Sequence, residues 1–234
     1  MTVKEELVQR SPIRIFEQSI NGGLKAGEIG VIASLNGVGK TSVLVQLALD
    51  KLLQEKKVIH VSFTQHTHYV PLWYEDIFNE FISKKNLENA EEVKNDIIKN
   101  RVQMNFNQDG VKKAQILRSL RAMIIEGGFK ADSIIIDGFD FIRTDKESIS
   151  AVKTFAIELG VSVWYSCSVK DDSQYDKENI PLVLNDFIDN IDVVINLQPK
   201  PDCVELSVSK DRNSITSKSM AMKLDPKTLL VLEK

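Results

Sequence analysis

Cysteine is scarce. The 234 residues carry two, Cys167 and Cys203, and neither belongs to a Cys-x-x-Cys pair. That excludes a zinc ribbon or a thioredoxin-type redox pair. Each sits in or after an apolar run, where a free thiol behaves as a small buried hydrophobe, so both are expected reduced and in the core. Long apolar runs are missing too. No uncharged stretch reaches the ~20 residues that a membrane-spanning helix needs. Met1 to Arg10 is charged and lacks the apolar centre of a secretory signal. The chain is therefore expected in the cytoplasm, away from membranes. An excess of one sign of charge is also absent: 30 Lys and Arg against 33 Asp and Glu leave a net charge of −3. That balance argues against an overall electrostatic grip on nucleic acid, while leaving room for a local basic patch. No internal repeat and no low-complexity segment interrupts the chain.

What remains is ordinary for a soluble globular protein, with 43% apolar and 27% charged residues. The length suits one large domain or one domain with an insertion, and it suffices to bury a core without staples. Residues 1–10 read as a polar tail. Ser11-Pro12 is a helix start, with Ser as cap and Pro at the first helical position, and it predicts a short helix over Ile13–Ser19 that stops at Asn21-Gly22-Gly23. Apolar runs predict strands at Glu28–Ala33, Val58–Phe63, Val102–Phe106, Ser133–Asp137 and Val161–Ser166. Helical spacing predicts helices at Thr41–Leu53, Val111–Glu126 and Ile149–Leu159. Between Thr64 and Lys99 the pattern is helical, with Trp73, Ile77, Phe78 and Phe81 on one face. Short strands are predicted at Val193–Leu197, Val204–Ser209, Ala221–Leu224 and Leu229–Leu232. Alternating strands and helices followed by a strand-rich end imply an α/β fold, a mostly parallel sheet with antiparallel strands appended.

The strongest chemical signal is Ser34-Leu35-Asn36-Gly37-Val38-Gly39-Lys40-Thr41. A phosphate chain carries dense negative charge and many acceptor oxygens. Successive backbone N–H groups closed by a helix N-terminus satisfy them. Gly37 and Gly39 let the backbone wrap without a Cβ in the way. Lys40 would reach the β- and γ-phosphates and the Thr41 hydroxyl would bind Mg²⁺. Asn36, Gly37, Val38, Gly39, Lys40, Thr41 and Ser42 are thus the candidate nucleotide-binding residues. Gly-Lys-Thr alone is weak. The strand running in and the amphipathic helix running out give it weight over a plain solvated turn. The pattern normally opens on Gly, and here Ser34 stands in that place. A second acid is needed to hold the metal, at the end of a buried strand beside the phosphate-loop strand. Asp137, after Ile134-Ile135-Ile136, fits, and the plainer alternative is a cap for the turn at Gly138. Asp140 is a weaker candidate.

With these residues in hand, the chain resembles the RecA superfamily, in particular its KaiC-like, RadA-like and replicative-helicase (DnaB-like) branch. Three segments carry the likeness: the lead-in Gly22-Gly23-Leu24-Lys25-Ala26-Gly27-Glu28-Ile29, the phosphate loop with its helix, and Lys210-Asp211-Arg212-Asn213. The likeness spans about Ile13 to Met222 and leaves a helical insertion at about 66–100 unmatched. It implies a RecA-like P-loop NTPase core over residues 11–234: a twisted, mostly parallel sheet with helices on both faces. It also implies ATP or ADP with Mg²⁺ as ligands and a homo-oligomeric ring or filament, or a protein partner. Lys210 and Arg212 would then act in trans on the γ-phosphate held by a neighbour. The plainer reading is two solvated cations at a strand end.

The chain also departs from this family. Its ATPases place a catalytic Glu after the second strand, where this chain has Thr64-Gln65. Gln65 can orient a water but cannot accept its proton. Relatives often carry Gln after the next strand, where this chain has Ser166-Cys167-Ser168. The resemblance therefore implies nucleotide binding with slow or absent hydrolysis, and a regulator or assembly component. A DNA-dependent recombinase or helicase motor and a scaffold with a degenerate site are the alternatives. Residues 168–192, where relatives hold DNA, carry seven acids against Lys170 and Lys177, which disfavours a phosphate backbone. A small-molecule kinase ranks last, because no Arg-rich lid is present. His60, His66 and His68 are expected at the surface, with no ligand set around them. The Trp73-Tyr74 helix reads either as core or as a partner-docking face.

Overall fold

The computed structural model describes residues 3–9, 11–63, 69–83, 90–107 and 113–234. Among them, nine strands form one mixed sheet: β1 Ile29–Leu35, β2 Val58–Ser62, β3 Arg101–Asn105, β4 Ser133–Asp137, β5 Ser162–Val169, β6 Val193–Pro199, β7 Val204–Asp211, β8 Ser214–Leu224 and β9 Val231–Glu233. Their order is β3-β2-β4-β5-β1-β6-β7-β8-β9. The first six of these are parallel, and β7, β8 and β9 are added antiparallel. Ile134-Ile135-Ile136 is apolar at every position because β4, central and parallel, is covered on both faces.

Period-two alternation divides the core into two halves. Ile32, Val58, Ile135 and Trp164 face a layer built from α1 (Val3–Gln9), α2 (Ile13–Ser19), α3 (Lys40–Leu53), α4 (Tyr69–Ser83) and α5 (Ala90–Lys99). Their strand neighbours Val31, Ile59, Ile136 and Tyr165 face α6 (Lys113–Arg121) and α7 (Lys146–Leu159). Gly30 is fixed by packing: a Cβ there would lie 2.4 Å from the Trp164 ring, which lies over β1 and takes Phe16 edge-on at 6.0 Å. The alternation predicted from sequence is present, and the strand-rich end is antiparallel as read.

The differences have physical causes. Where the sequence reads as a polar tail, Val3–Gln9 is a helix that buries Leu7. The helix predicted to run unbroken to Glu126 widens over Ala122–Glu126 into a π-helical turn, with the Gly127 N–H reaching back to the Ala122 carbonyl. β8 begins at Ser214, well before the predicted Ala221, because its first half is paired to β7 but exposed and so lacks apolar alternation. The helical stretch after β2 is core. Val70, Tyr74, Ile77 and Phe78 of α4 are buried beside α3, with Trp73 and Phe81 partly buried against them. Among the described residues, no helix is long and apolar enough to cross a membrane.

Candidate functional site

β1 delivers the chain to a turn at residues 36–39, and α3 starts directly after it. Gly37 and Gly39 both have positive φ, +77° and +115°, where a side chain would be strained. Gly39 is fixed twice over, because a Cβ would lie 2.4 Å from Leu224 Cδ2 of β8. Among the described residues, no side chain caps α3. The first N–H groups of a 14-residue helix therefore face the loop without an internal partner, an arrangement suited to an anion.

Lys40 is buried, and its ammonium turns back on its own loop. Nζ donates to the carbonyls of Ser34 (3.2 Å) and Leu35 (2.8 Å) and to Ser34 Oγ (3.1 Å). Burial pulls the Lys40 pKa below the ordinary lysine value, with Cys167 and Asp137 opposing. Ser34 thus stands in the opening-glycine position and supplies two of the three oxygens that hold the lysine. Its side chain shares the α3 face of the sheet with Ile32, two residues before it in the strand.

Thr41 Oγ1 donates to Asp137 Oδ2 at 2.8 Å. These two residues, 96 positions apart, are brought together as the sequence reading requires, but by a different route. Asp137 was expected on a strand beside β1, and instead β5 lies between β4 and β1. The contact survives because α3 lies over the sheet, so its first turn reaches across β5. Around Asp137 the strand ends are polar. Ser62 of β2 lies opposite it in register, and Ser166 Oγ of β5 accepts from the Gly138 N–H at 2.7 Å. The Phe63 N–H donates to the Asp137 carbonyl at 3.0 Å, which fixes the end of β2 beside the acid. Asp140 instead serves its own loop, where Oδ1 accepts from the Ile142 N–H at 3.0 Å.

Not every sequence candidate joins this cluster. Ser42 is fully buried and its hydroxyl donates to the Leu229 carbonyl, so only its backbone N–H faces the helix start. Gln46, one turn later, donates from Nε2 to the same carbonyl at 2.9 Å and accepts at Oε1 from the Val231 N–H at 2.8 Å. This tie between α3 and the β8–β9 turn was not read from sequence; an amide inside the apolar stripe of α3 was its one visible signal. Gln65, with Thr64, His66 and His68, lies outside the described residues.

Lys210 and Arg212 lie at the opposite end of the sheet, at the β7–β8 turn. Lys210 Nζ donates to the carbonyls of Ile188 and Ile191, both at 2.5 Å. Arg212 grips Glu28 with Nε and Nη2, each at 2.9 Å, and also donates to the Ile20 carbonyl (2.8 Å), the Gly23 carbonyl (2.7 Å) and Asp211. Burial alone would lower the Arg212 pKa, but Glu28 and Asp211 reverse that and hold it above the ordinary value. The lead-in segment from Gly22 to Glu28 is therefore the strap that this guanidinium clamps.

His60 corrects the expectation of surface histidines. It lies mid-strand in β2, fully buried, with Nδ1 3.1 Å from the Tyr74 hydroxyl and no partner for Nε2 among the described residues. Cys167 is buried as read, whereas Cys203 is half-buried. In the acidic stretch Asp171, Asp172, Glu178, Asp186 and Asp189 are exposed. No protein-family model matches the chain, and no curated protein matches it.

Proposed function

We propose that this chain has a RecA-like core, binds Mg²⁺-ATP or ADP at the start of α3, and hydrolyses ATP slowly or not at all, as a nucleotide-dependent regulator or assembly component. The observation that carries the reading is the 2.8 Å bond from Thr41 to Asp137 at an uncapped helix N-terminus. The residues fit the ligands. The backbone of Asn36, Gly37, Val38, Gly39 and Lys40 and the N–H groups of Thr41 and Ser42 offer donors to phosphate. Lys40 would exchange the Ser34 and Leu35 carbonyls for phosphate oxygens. Thr41 and Asp137 would hold Mg²⁺ directly or through water. Bound there, the metal supplies charge neutralisation and the nucleotide a transferable phosphoryl group.

Gln65 would orient a water without accepting its proton. Lys210 and Arg212 enter the reading differently from the expectation of a trans-acting pair. Arg212 would have to abandon four internal acceptor groups to reach a neighbour's phosphate, so the bonds support a clamp within the chain. A DNA-driven motor gains nothing from the exposed acids of residues 168–192.

Steady-state ATP hydrolysis by the purified chain tests the reading. Turnover should lie far below the roughly 10 s⁻¹ of a median enzyme. Gln65→Glu should raise it on the order of 10-fold or more, because a carboxylate restores a proton acceptor. A wild-type rate of about 10 s⁻¹ or above would reject the inactive-or-slow assignment.

A further inference from the structure

α5 leads directly into β3, an edge strand of the sheet, and Arg101 is its first residue. The guanidinium lies 4.0 Å over the Tyr74 ring of α4. The side chain is half-buried, and burial pulls its pKa below the ordinary arginine value, with Tyr74 opposing. A cation drawn out of water is ordinarily paired with an acid. The other half-buried arginines among the described residues obey that rule: Arg14 holds Asp50, and Arg212 holds Glu28 and Asp211. Arg101 does not. Among the described residues it has neither a carboxylate beside it nor a hydrogen-bond acceptor, yet none of its nitrogens is sealed from solvent.

The same guanidinium lines a pocket of about 130 Å³ between α4, α5 and the start of β3. Tyr74, Phe78 and Ile97 form its buried floor, and the exposed Glu75 and Ile98 mark its mouth. Lys94 lines it too, but its ammonium already donates to Glu75. Those two charges cancel. One positive charge, on Arg101, is left without a counterpart among apolar walls. A single uncompensated charge matches a monoanion, whereas a phosphate dianion would call for more cations. The planar guanidinium fork suits the two oxygens of a carboxylate. The floor adds room for an apolar body: an apolar cavity of about 150 Å³ accommodates benzene, so the body is one ring or a short branched chain.

We propose that this pocket binds a small organic monocarboxylate, with its apolar body against Phe78 and Ile97 and its carboxylate on the Arg101 guanidinium. The site is independent of the nucleotide reading. It lies at the β3 edge of the sheet and uses none of the phosphate-loop residues.

Calorimetric titration of the full chain at neutral pH with benzoate and with benzamide tests the site. The two probes share a shape, but only benzoate is an anion. Benzoate should bind saturably, one per chain, and about tenfold more tightly than benzamide, the effect of one charge-assisted pair. Arg101→Gln removes the cation and should bind both probes alike. Because Arg101 also packs on Tyr74, a second variant spares that contact: Ile98→Glu, at the exposed mouth, should fold normally and erase the preference for benzoate. The proposal is overturned if benzoate fails to bind, if the wild type binds benzamide as tightly, or if the preference for benzoate persists in either folded variant.

Discussion

His60 occupies a place where an imidazolium has no water to solvate it. Burial drives its pKa down from 6.5 to about 4; Asp137 opposes that shift and Arg101 reinforces it. Arg101 stacks its guanidinium 4.0 Å over the Tyr74 ring, so the cation and the phenol that faces His60 form one packed group. The sign follows from linkage: a folded-state pKa lowered below the unfolded value gives stability that is complete above pH 6.5 and is lost as pH falls towards 4. The wild type should therefore lose about 2 kcal/mol more than His60→Gln between pH 7 and pH 5. Urea unfolding of both proteins at the two pH values checks this, and equal losses would show that His60 is not the titrating group. The residue also shows where sequence reading stops. Lys40, Thr41 and Asp137 were legible because each sits at a fixed offset from a strand end. His60 was read with His66 and His68 as a surface group, because nothing local reveals that β2 is covered by α4.

Elements carry a second dependence, between α3 and the turn joining β8 to β9. Leu229 holds φ at +57°, an uncommon conformation for a branched residue, and its carbonyl is the point that Ser42 and Gln46 both grip. That turn and Leu224 together press the C-terminal strands against the first turn of α3. Gln46→Leu leaves the Val231 N–H unpaired and takes away one of the Leu229 donors. It should cost about 2 kcal/mol in a denaturant titration. An unchanged midpoint would mean that the turn is held by packing alone. The helices between β2 and β3 and the strand β4 could be read from sequence because their periodicity is strong. α1, with one buried leucine, and the exposed half of β8, held by backbone pairing, left no such pattern.

At the scale of the whole molecule, the strand order does what no local pattern announces. β1 lies between β5 and β6, and β4 is one strand further away, so the Thr41–Asp137 contact depends on α3 crossing β5. Parallel pairing links segments far apart in the chain, which is why the class of fold was legible and the neighbours of β1 were not. The antiparallel run of β7 sets the Arg212 clamp and the glycine turn before α3 at opposite ends of the sheet. On the proposed reading, the loop would bind nucleotide with its own backbone, Lys40 and the Thr41–Asp137 pair. Calorimetric titration of the full chain with Mg²⁺-ATP tests that most directly. One nucleotide should bind per chain, and Lys40→Ala should weaken binding at least about tenfold, the effect of losing one charge-assisted contact. No heat of binding, or equal affinity in Lys40→Ala, would contradict the assignment.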